Sequence, residues 1–536
     1  MDRAISREIP ATPVDLVVIG AGINGCGIAR DAALRGLRVA LIDKGDIASA
    51  TTGWSTRLIH GGLRYLEHLE LSLVRESLRE RERLLRIAPH LVHPLSFFIP
   101  IYDRDRRGPW KIRAGMLAYD ALSFGKSEER HHMLDPSEAR EREPGIAADG
   151  LKGAAVYFDA QAEYPERLAL ENALDAYDHG VTVVTHRRVR RLAIDDGRVT
   201  GVELEGRERI RGTVTVNVAG PWVDDVLRAS AGEPGAPRFE RLIGGTKGTH
   251  LVVGEFAGAP AEAMYVEAED GRPYFIVPWN DLYLIGTTDT RYEGDLDHVV
   301  ATDEEIDYLI GATNEVIPDA RLGRDDVIYT YAGVRPLPET KGDEGSVTRR
   351  HIVHDHEPEL GGLLSIVGGK LTTYRNLAQE TVEAVFGKLE QDPPGCRTFE
   401  LPLPGGAAAD WPEFRDQFLR AAHVPRPVGE RLLRIYGVRA EEVLSLAQGA
   451  PELLEPFDPS TGAIGAEVVH ALQAELACDL TDVLLRRTMV ALGRTAGIGP
   501  DEAAARIIGW GDDEVDRFRE AMRDMRPRAL ERSGIR

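Results

Sequence analysis

Three glycines and an acid near the start of the chain have the types and spacing to hold a dinucleotide. Gly20, Gly22 and Gly25 stand in the run Gly20-Ala21-Gly22-Ile23-Asn24-Gly25, and Asp43 lies downstream. Gly20 permits a tight turn, Gly22 lets the backbone approach a pyrophosphate, and Gly25 lets a helix pack close to a strand. An acid about 20 residues after the first glycine is placed to hydrogen-bond a ribose hydroxyl. It also disfavours a ribose carrying a 2′-phosphate. A second glycine pair, Gly368-Gly369, is followed by Lys370, a full positive charge beside a turn. The first pattern by itself leaves NAD and FAD open.

The elements that must position these residues are legible around them. Asp15-Leu16-Val17-Val18-Ile19 is an apolar strand running into the glycine turn, a helical stretch follows, and Arg38-Val39-Ala40-Leu41-Ile42-Asp43 is a strand ending on the acid. In that context the helix N-terminus faces phosphates with unpaired N–H groups. Leu363-Leu364-Ser365-Ile366-Val367 is likewise a strand, Gly368-Gly369 its turn, and Leu371 onward a helix through Lys388. The free N–H groups and positive dipole end of that helix point at whatever lies over the turn.

Further blocks extend the pattern. Ala48-Ser49-Ala50-Thr51-Thr52-Gly53-Trp54-Ser55-Thr56-Arg57 is small and hydroxyl-rich, and it leads into Leu58-Ile59-His60-Gly61-Gly62-Leu63-Arg64-Tyr65. Val218-Ala219-Gly220-Pro221-Trp222, Lys247-Gly248-Thr249-His250, Ile285-Gly286-Thr287-Thr288-Asp289, Tyr331-Ala332-Gly333-Val334-Arg335-Pro336 and Gly368-Gly369-Lys370-Leu371-Thr372-Thr373 follow in order. With these blocks the chain resembles, over nearly its whole length, the FAD-dependent glycerol-3-phosphate dehydrogenases, a branch of the D-amino-acid-oxidase-like flavoproteins.

The resemblance implies an α/β fold: a Rossmann-like FAD-binding domain of the GR2/DAO type, interleaved with an α+β antiparallel-sheet substrate domain, plus an all-α C-terminal domain. The FAD-binding domain is expected from residues 1–90, 155–233 and 346–390, the substrate domain from 91–154 and 234–345, and the helical domain from 400–536. Non-covalent FAD is the implied cofactor, since no block suggests a covalent histidine or cysteine linkage. Its contacts are expected from Gly20, Gly22, Asn24, Gly25, Asp43 and Lys44, then from Ser49, Thr51, Ser55, Leu58, His60, Gly61 and Gly62. Val189, Ala219, Gly220, Trp222, Thr288 and Gly333 are expected to add to these, and Gly369, Lys370, Leu371, Thr372 and Thr373 to close the set. The implied reaction is oxidation of sn-glycerol 3-phosphate to dihydroxyacetone phosphate by hydride transfer to FAD N5, with electrons passed to membrane quinone.

That chemistry needs a route for the hydroxyl proton, and positive potential beside the reduced flavin, which the Gly368-Gly369-Lys370 turn can supply. It also needs cations for the phosphate dianion, arginine being best for forked contacts. The resemblance points to Arg64 with Tyr65, His250, Arg335, Arg349 and Lys370; Arg350 beside Arg349 leaves the choice between those two open. His60 is the candidate general base, because histidine titrates in the right range. Arg335 is too basic to be one and would instead stabilise a developing alkoxide. Two departures from the family pattern stand out: Arg57, where a lysine is common, and the segment Phe158 to Arg167, which lacks paired aspartates before the arginine. Trp54 also replaces a small or polar residue and would narrow the approach to the flavin.

Composition limits the alternatives. A chain of 536 residues is too long for one core. A net charge of −22 argues against nucleic acid as a partner. Eight lysines against 57 arginines fit either salt adaptation or a GC-rich genome. Cys26, Cys396 and Cys478 have no metal-type spacing, so no metal is expected, and so sparse a set suits a reducing cytoplasm. No apolar run reaches the length of a membrane span, and the first is only strand length, so neither a transmembrane helix nor a signal peptide is expected. Any contact with the inner face of the cell membrane is then peripheral. Arg104, Arg106, Arg107, Lys111 and Arg113, interleaved with Trp110, Ile112, Met116 and Leu117, are the candidate segment, with a helix starting at Pro109. Ala466 to Leu492 reads as one amphipathic helix. Other readings are a glycerol-3-phosphate oxidase using oxygen, an amine or amino-acid oxidase of the same fold, and a flavin-binding scaffold without turnover. A homodimer is compatible with the sequence.

Overall fold

The structure, a computed structural model, describes residues 9–62, 70–122, 130–232, 235–340 and 350–528. The first sheet is built on the strand Val14–Ile19, which pairs in parallel with Val39–Ile42 on one side and Arg209–Asn217 on the other. Thr182–Val184 and Leu363–Val367 extend it in parallel, and Ile352–Asp355 closes one edge antiparallel. The strands Val14–Ile19, Val39–Ile42 and Leu363–Val367 are largely apolar because both faces are covered. On one face the helices Ile23–Leu34, Pro165–Asp178 and Tyr374–Lys388 pack together. The segment from Val189 forms a hairpin of Val189–Asp195 and Arg198–Leu204. Asp196 and Gly197, with φ of 45° and 71°, make the two-residue turn between them.

Among the described residues the second sheet has ten strands and is mostly antiparallel, ordered Thr290–Arg291, Thr246–Val253, Leu282–Gly286, Pro273–Trp279, Ala263–Glu267, Val92–Tyr102, Leu151–Ala162 and Leu58–Ile59. Val327–Arg335 pairs along Thr246–Val253, and His132–Leu134 along Leu151–Ala162. Pro273–Trp279 alternates: Tyr274 and Ile276 join a core with the helix Asp303–Val316, while Phe275 and Val277 face the other way. Residues 155–162, expected in the nucleotide-binding part, belong to this sheet. Their antiparallel ladder with Val92–Tyr102 runs without a change of sheet from Leu151 to Ala162, and the chain returns to the first layer only at the helix Pro165–Asp178.

From residue 396 to 528 the described chain is mainly helical, apart from a small hairpin of Pro456–Asp458 and Ala463–Ile464. The stretch Ala466 to Leu492 is not one helix. Gly465–Ala474 ends before Glu475, a π-helical turn covers Asp482–Arg487, and a 3₁₀ turn covers Val490–Leu492. Leu476 and Met489 both take a left-handed φ of 59°. The break has a cause in the packing. Glu475 is fully buried and accepts Arg167 at 2.6 and 2.8 Å, and Arg487 donates to Asp46 at 2.7 and 2.8 Å. These ion pairs tie the C-terminal helices to the first domain, and a straight helix would not present both ends to it. The helix Tyr374–Lys388 also starts three residues later than expected, after a turn that shapes the site.

Candidate active site

A cavity of about 1000 Å³ lies between the two sheets and is lined from both. One end is the first glycine turn. Gly20 has φ +113°, and a Cβ there would lie 2.6 Å from the Val218 carbonyl oxygen. A Cβ on Gly25 would lie 1.8 Å from the Gly20 carbonyl oxygen, so the helix can approach the strand only without a side chain. Gly22 opens onto the cavity, and its nearest neighbour would be Thr52 Oγ1 at 3.2 Å. The first N–H of the helix Ile23–Leu34, that of Ile23, donates to Thr52 Oγ1 at 3.1 Å. Asp43 accepts from Ala21 N at 2.6 Å and Gly45 N at 2.8 Å, and burial pushes its carboxyl up. A turn that a Cβ would close, a helix N-terminus at the cavity and a buried acid fit a dinucleotide.

The second turn meets the first. Gly368 and Gly369 have φ of +78° and +102°, and a Cβ on Gly369 would lie 2.4 Å from Asn24 Nδ2. Asn24 lines the cavity with a buried Oδ1 that has no hydrogen-bond partner among the described residues. Leu371 and Thr372 follow on the wall. Thr372 Oγ1 accepts the His60 N–H at 3.1 Å, which fixes the backbone on which the His60 imidazole is mounted. Burial lowers the His60 pKa, so its ring is neutral near pH 7.

The second sheet supplies the rest. Arg335, at the end of Val327–Arg335, donates to Asp289 Oδ1 and Thr287 Oγ1, each at 3.1 Å. His250 stands on the adjacent strand, hydrogen-bonded through Nε2 to Thr56 Oγ1 at 2.9 Å and stacked on Tyr331 at 4.8 Å. Burial, then the nearby charges of Arg335 and Arg57, hold its pKa well below the usual value. Thr51 Oγ1 donates to the Val334 carbonyl at 2.8 Å, tying the hydroxyl-rich segment to the Arg335 strand. Trp54 lies on the cavity wall beside Tyr331, and Gly333 makes room for it: a Cβ there would be 2.8 Å from the Trp54 Cβ. The Thr288 hydroxyl accepts from Thr249 N and donates to Glu305.

The structure brings most of the expected residues to this one wall: Gly20, Gly22, Asn24, Asp43, Lys44, Ser49, Thr51, Ser55, Leu58, His60 and Gly62 from the first part of the chain. Val189, Ala219, Gly220, Trp222, His250, Thr288, Gly333, Arg335, Gly369, Lys370, Leu371 and Thr372 complete them. Three stand behind the wall instead. Gly25 packs on Gly20, Gly61 donates its N–H to Asp159 Oδ1 at 3.1 Å and has no room for a Cβ beside Tyr119, and Thr373 is buried at the start of the helix Tyr374–Lys388. Arg64, Tyr65 and Arg349 lie outside the described residues. Arg350 is exposed and does not line the cavity, although its carbonyl packs beside Gly368, which does. Asp289, at the end of Ile285-Gly286-Thr287-Thr288-Asp289, and the aromatic residues Tyr157, Tyr265 and Phe275 also line the cavity and were not among the expected residues. The strand alternation at Phe275 was the available signal.

Two surface features qualify the expectations. The helix Pro109–Leu122 buries Ile112, Met116 and Tyr119 but leaves Trp110 81% and Leu117 57% exposed. Of the basic residues before it, Arg104 pairs with Glu315, Arg107 with Glu267 at 2.5 Å, and Arg106 donates to the Asp270 carbonyl at 2.7 Å. Those three are engaged with the second sheet and its flanking helix rather than held out as a free basic stripe. His186, Cys478 and Asp482 bring ligand-type atoms within 4.8 Å of one another. Asp482, however, is already salt-bridged to Arg486 at 2.7 Å and to His186 at 3.0 Å, and it holds His186 protonated, with its pKa pushed up to about 11. The group acts as an interdomain tether. No described helix is long and apolar enough to cross a membrane.

Comparison with known proteins agrees with this geometry. Residues 15–375 match the FAD dependent oxidoreductase family, and residues 396–510 match the C-terminal domain of alpha-glycerophosphate oxidase. A glycerol-3-phosphate dehydrogenase of Synechocystis is 49% identical, covering 95% of this chain and 96% of its own. A D-erythritol 1-phosphate dehydrogenase of Brucella abortus is 37% identical, covering 93% and 98%. The crystal structure of the glycerol-3-phosphate dehydrogenase from Bacillus halodurans complexed with FAD superposes with a TM-score of 0.76 at 29% identity, covering 96% of this chain and 95% of that one. The chain belongs to the FAD-dependent oxidoreductase family, in the branch that includes the glycerol-3-phosphate dehydrogenases.

Proposed function

We propose that the protein oxidises sn-glycerol 3-phosphate to dihydroxyacetone phosphate and delivers the electrons to a membrane quinone from the cytoplasmic side. The observation that carries the reading is that Arg335, neutral His250 and neutral His60 share one cavity with both glycine turns. Non-covalent FAD would be held along the Gly20–Gly25 turn and against Gly369–Thr372, where it would supply the hydride acceptor. Lys370 and the N–H groups at the second turn place positive potential beside the ring as it becomes electron-rich. Neutral His60 is in the right state to take the hydroxyl proton. Arg335, held flat by Asp289 and Thr287, faces the oxygen as charge develops on it. His250 offers a ring nitrogen to the substrate. Arg64, Tyr65 and Arg349 are proposed, on resemblance, to help bind the phosphate.

Quinone rather than oxygen is favoured by the exposed Trp110 and Leu117, one face of a helix beside a cavity-lining residue, Arg106. An interfacial aromatic and an aliphatic side chain seven residues apart suit shallow, in-plane contact with a bilayer. The deciding experiment is anaerobic bleaching of the bound flavin. Glycerol 3-phosphate should bleach it in one turnover, while glycerol and amino acids should not. Bleaching by D-erythritol 1-phosphate in preference would move the substrate to the longer polyol phosphate, and bleaching by an amino acid would overturn the reading.

A further inference from the structure

The segment between Thr290–Arg291 and the helix Asp303–Val316 crosses from the second sheet towards the nucleotide end of the cavity. It is braced within itself and at both ends. Tyr292 N donates to the Gly245 carbonyl at 3.0 Å, the Tyr292 hydroxyl donates to the Asp295 carbonyl at 2.8 Å, and Lys247 Nζ donates to the Val300 carbonyl at 3.1 Å. Asp295 Oδ1 accepts the Asp297 N–H at 2.9 Å, which turns the chain at Asp297. His298 Nδ1 lies 3.0 Å from Asp524 of the C-terminal domain. At its outermost point the segment reaches two cations of the first domain. Asp297 Oδ1 pairs with Lys44, and Asp297 Oδ2 accepts from Arg188 Nη2 at 2.8 Å.

Both cations line the cavity, whereas Asp297 does not. Lys44 follows Asp43, the acid placed at the ribose, and its ammonium sits 3.6 Å over the Trp222 ring. Arg188 comes from the connection before Val189–Asp195. The carboxylate of Asp297 therefore joins two connections of the nucleotide-binding sheet to a strap from the substrate sheet, at the adenosine end of the groove. We propose that Asp297 is a clasp for the bound dinucleotide: by pairing with Lys44 and Arg188 it locks the two domains over the adenosine end and slows release of the cofactor. Asp297 is a positioning residue, since it acts through Lys44 and Arg188. The inference rests on FAD being the occupant.

The test is the rate of FAD release from the holoenzyme after dilution, read as recovery of free-flavin fluorescence. At low salt Asp297→Asn should release FAD about 3- to 10-fold faster than wild type, the range for charged hydrogen bonds in a half-exposed setting. Asp297→Glu should restore most of the slow rate. Raising the salt should speed wild-type release towards that of Asp297→Asn, whose own rate should hardly change, because screening removes what the substitution has already removed. A merely structural role for the strap would not give that convergence. Release from Asp297→Asn at the wild-type rate, or from Asp297→Glu as fast as from Asp297→Asn, would overturn the clasp while leaving the FAD reading intact. Wild type isolated without flavin, and unable to take it up, would overturn both.

Discussion

Arg57 and Glu166 form a buried two-pronged ion pair, with Nη1 to Oε2 and Nη2 to Oε1 each 2.8 Å. The same guanidinium donates to the carbonyls of Gly53 and Glu163 and lies 4.4 Å over the Trp279 ring. Both residues lie at departures from the expected family pattern, Arg57 itself and the segment Phe158 to Arg167, and the ion pair joins the two. A planar fork meets a carboxylate at two points, whereas a lysine meets it at one. The pair pins the hydroxyl-rich segment, and with it Trp54 and Thr56, against the start of the helix Pro165–Asp178.

Arg57→Lys should lower the unfolding free energy by about 1.5–3 kcal/mol, the range for a lost charged hydrogen bond. Arg57→Ala should lower it by about 3–5 kcal/mol, because Glu166 is left buried and unpaired. Urea unfolding of Arg57→Met, of Glu166→Met and of the double variant checks the coupling. The double variant should be more stable than Arg57→Met alone, and strict additivity would show that the two side chains do not interact.

Substitutions at two glycines of the first turn should fail differently. An alanine at Gly25 would put its Cβ 1.8 Å from the Gly20 carbonyl, so Gly25→Ala should lose both flavin and thermal stability. At Gly22 the nearest contact would be 3.2 Å, to a side-chain hydroxyl, so Gly22→Ala should fold and lose flavin affinity. Flavin content and melting temperature, measured on the same samples, separate the two. In wild type, acid precipitation should leave the yellow chromophore in the supernatant.

Arg335→Ala should reduce kcat/KM for glycerol 3-phosphate about 10- to 150-fold, from about 1.5–3 kcal/mol for a charged hydrogen bond at about 1.4 kcal/mol per decade. Asp289→Asn should have a smaller effect, because it loosens the guanidinium without removing it. An Arg335→Ala enzyme within a factor of two of wild type would remove Arg335 from the substrate site.

Two histidines should shape the pH dependence in opposite directions. The His186 pKa is pushed up to about 11, chiefly by its hydrogen bond to Asp482. Its stabilisation is therefore complete below the unfolded value of 6.5 and is lost as pH rises through about 11. The His250 pKa is lowered well below 6.5 by burial and then by the Arg335 and Arg57 charges, so the unfolded chain binds the extra proton and stability falls as pH drops below 6.5. Denaturation midpoints across pH should lose the alkaline slope in His186→Gln and part of the acid slope in His250→Asn.

Trp110→Ser with Leu117→Ser should abolish co-sedimentation with liposomes and leave activity with a soluble dye acceptor intact. The basic residues nearby are a poorer target, since Arg104, Arg106 and Arg107 are already held by partners in or beside the second sheet. If the double variant still binds vesicles, the docking surface lies elsewhere, and the helical C-terminal domain is the next place to look.

The sequence by itself determined the features whose causes are local. The Gly20–Gly25 turn between two apolar strands and the helix start at Pro109 each depend on residues within one or two turns of chain, so composition and spacing dictate them. Most residues of the cavity wall were legible for the same reason, because they sit in short contiguous blocks. Only the tertiary structure decided which blocks face each other. Arg57 meets Glu166 across 109 positions, and Arg487 meets Asp46 across 441. Periodicity cannot announce such partners, and the second pairing helps break what reads as one helix from Ala466 to Leu492. Strand patterning could not say which sheet Leu151–Ala162 joins, because alternation specifies a face but not a neighbour. Nor could glycine spacing tell the residues that touch the cavity from Gly25 and Gly61, whose missing side chains make room for a backbone carbonyl and a tyrosine hydroxyl behind it.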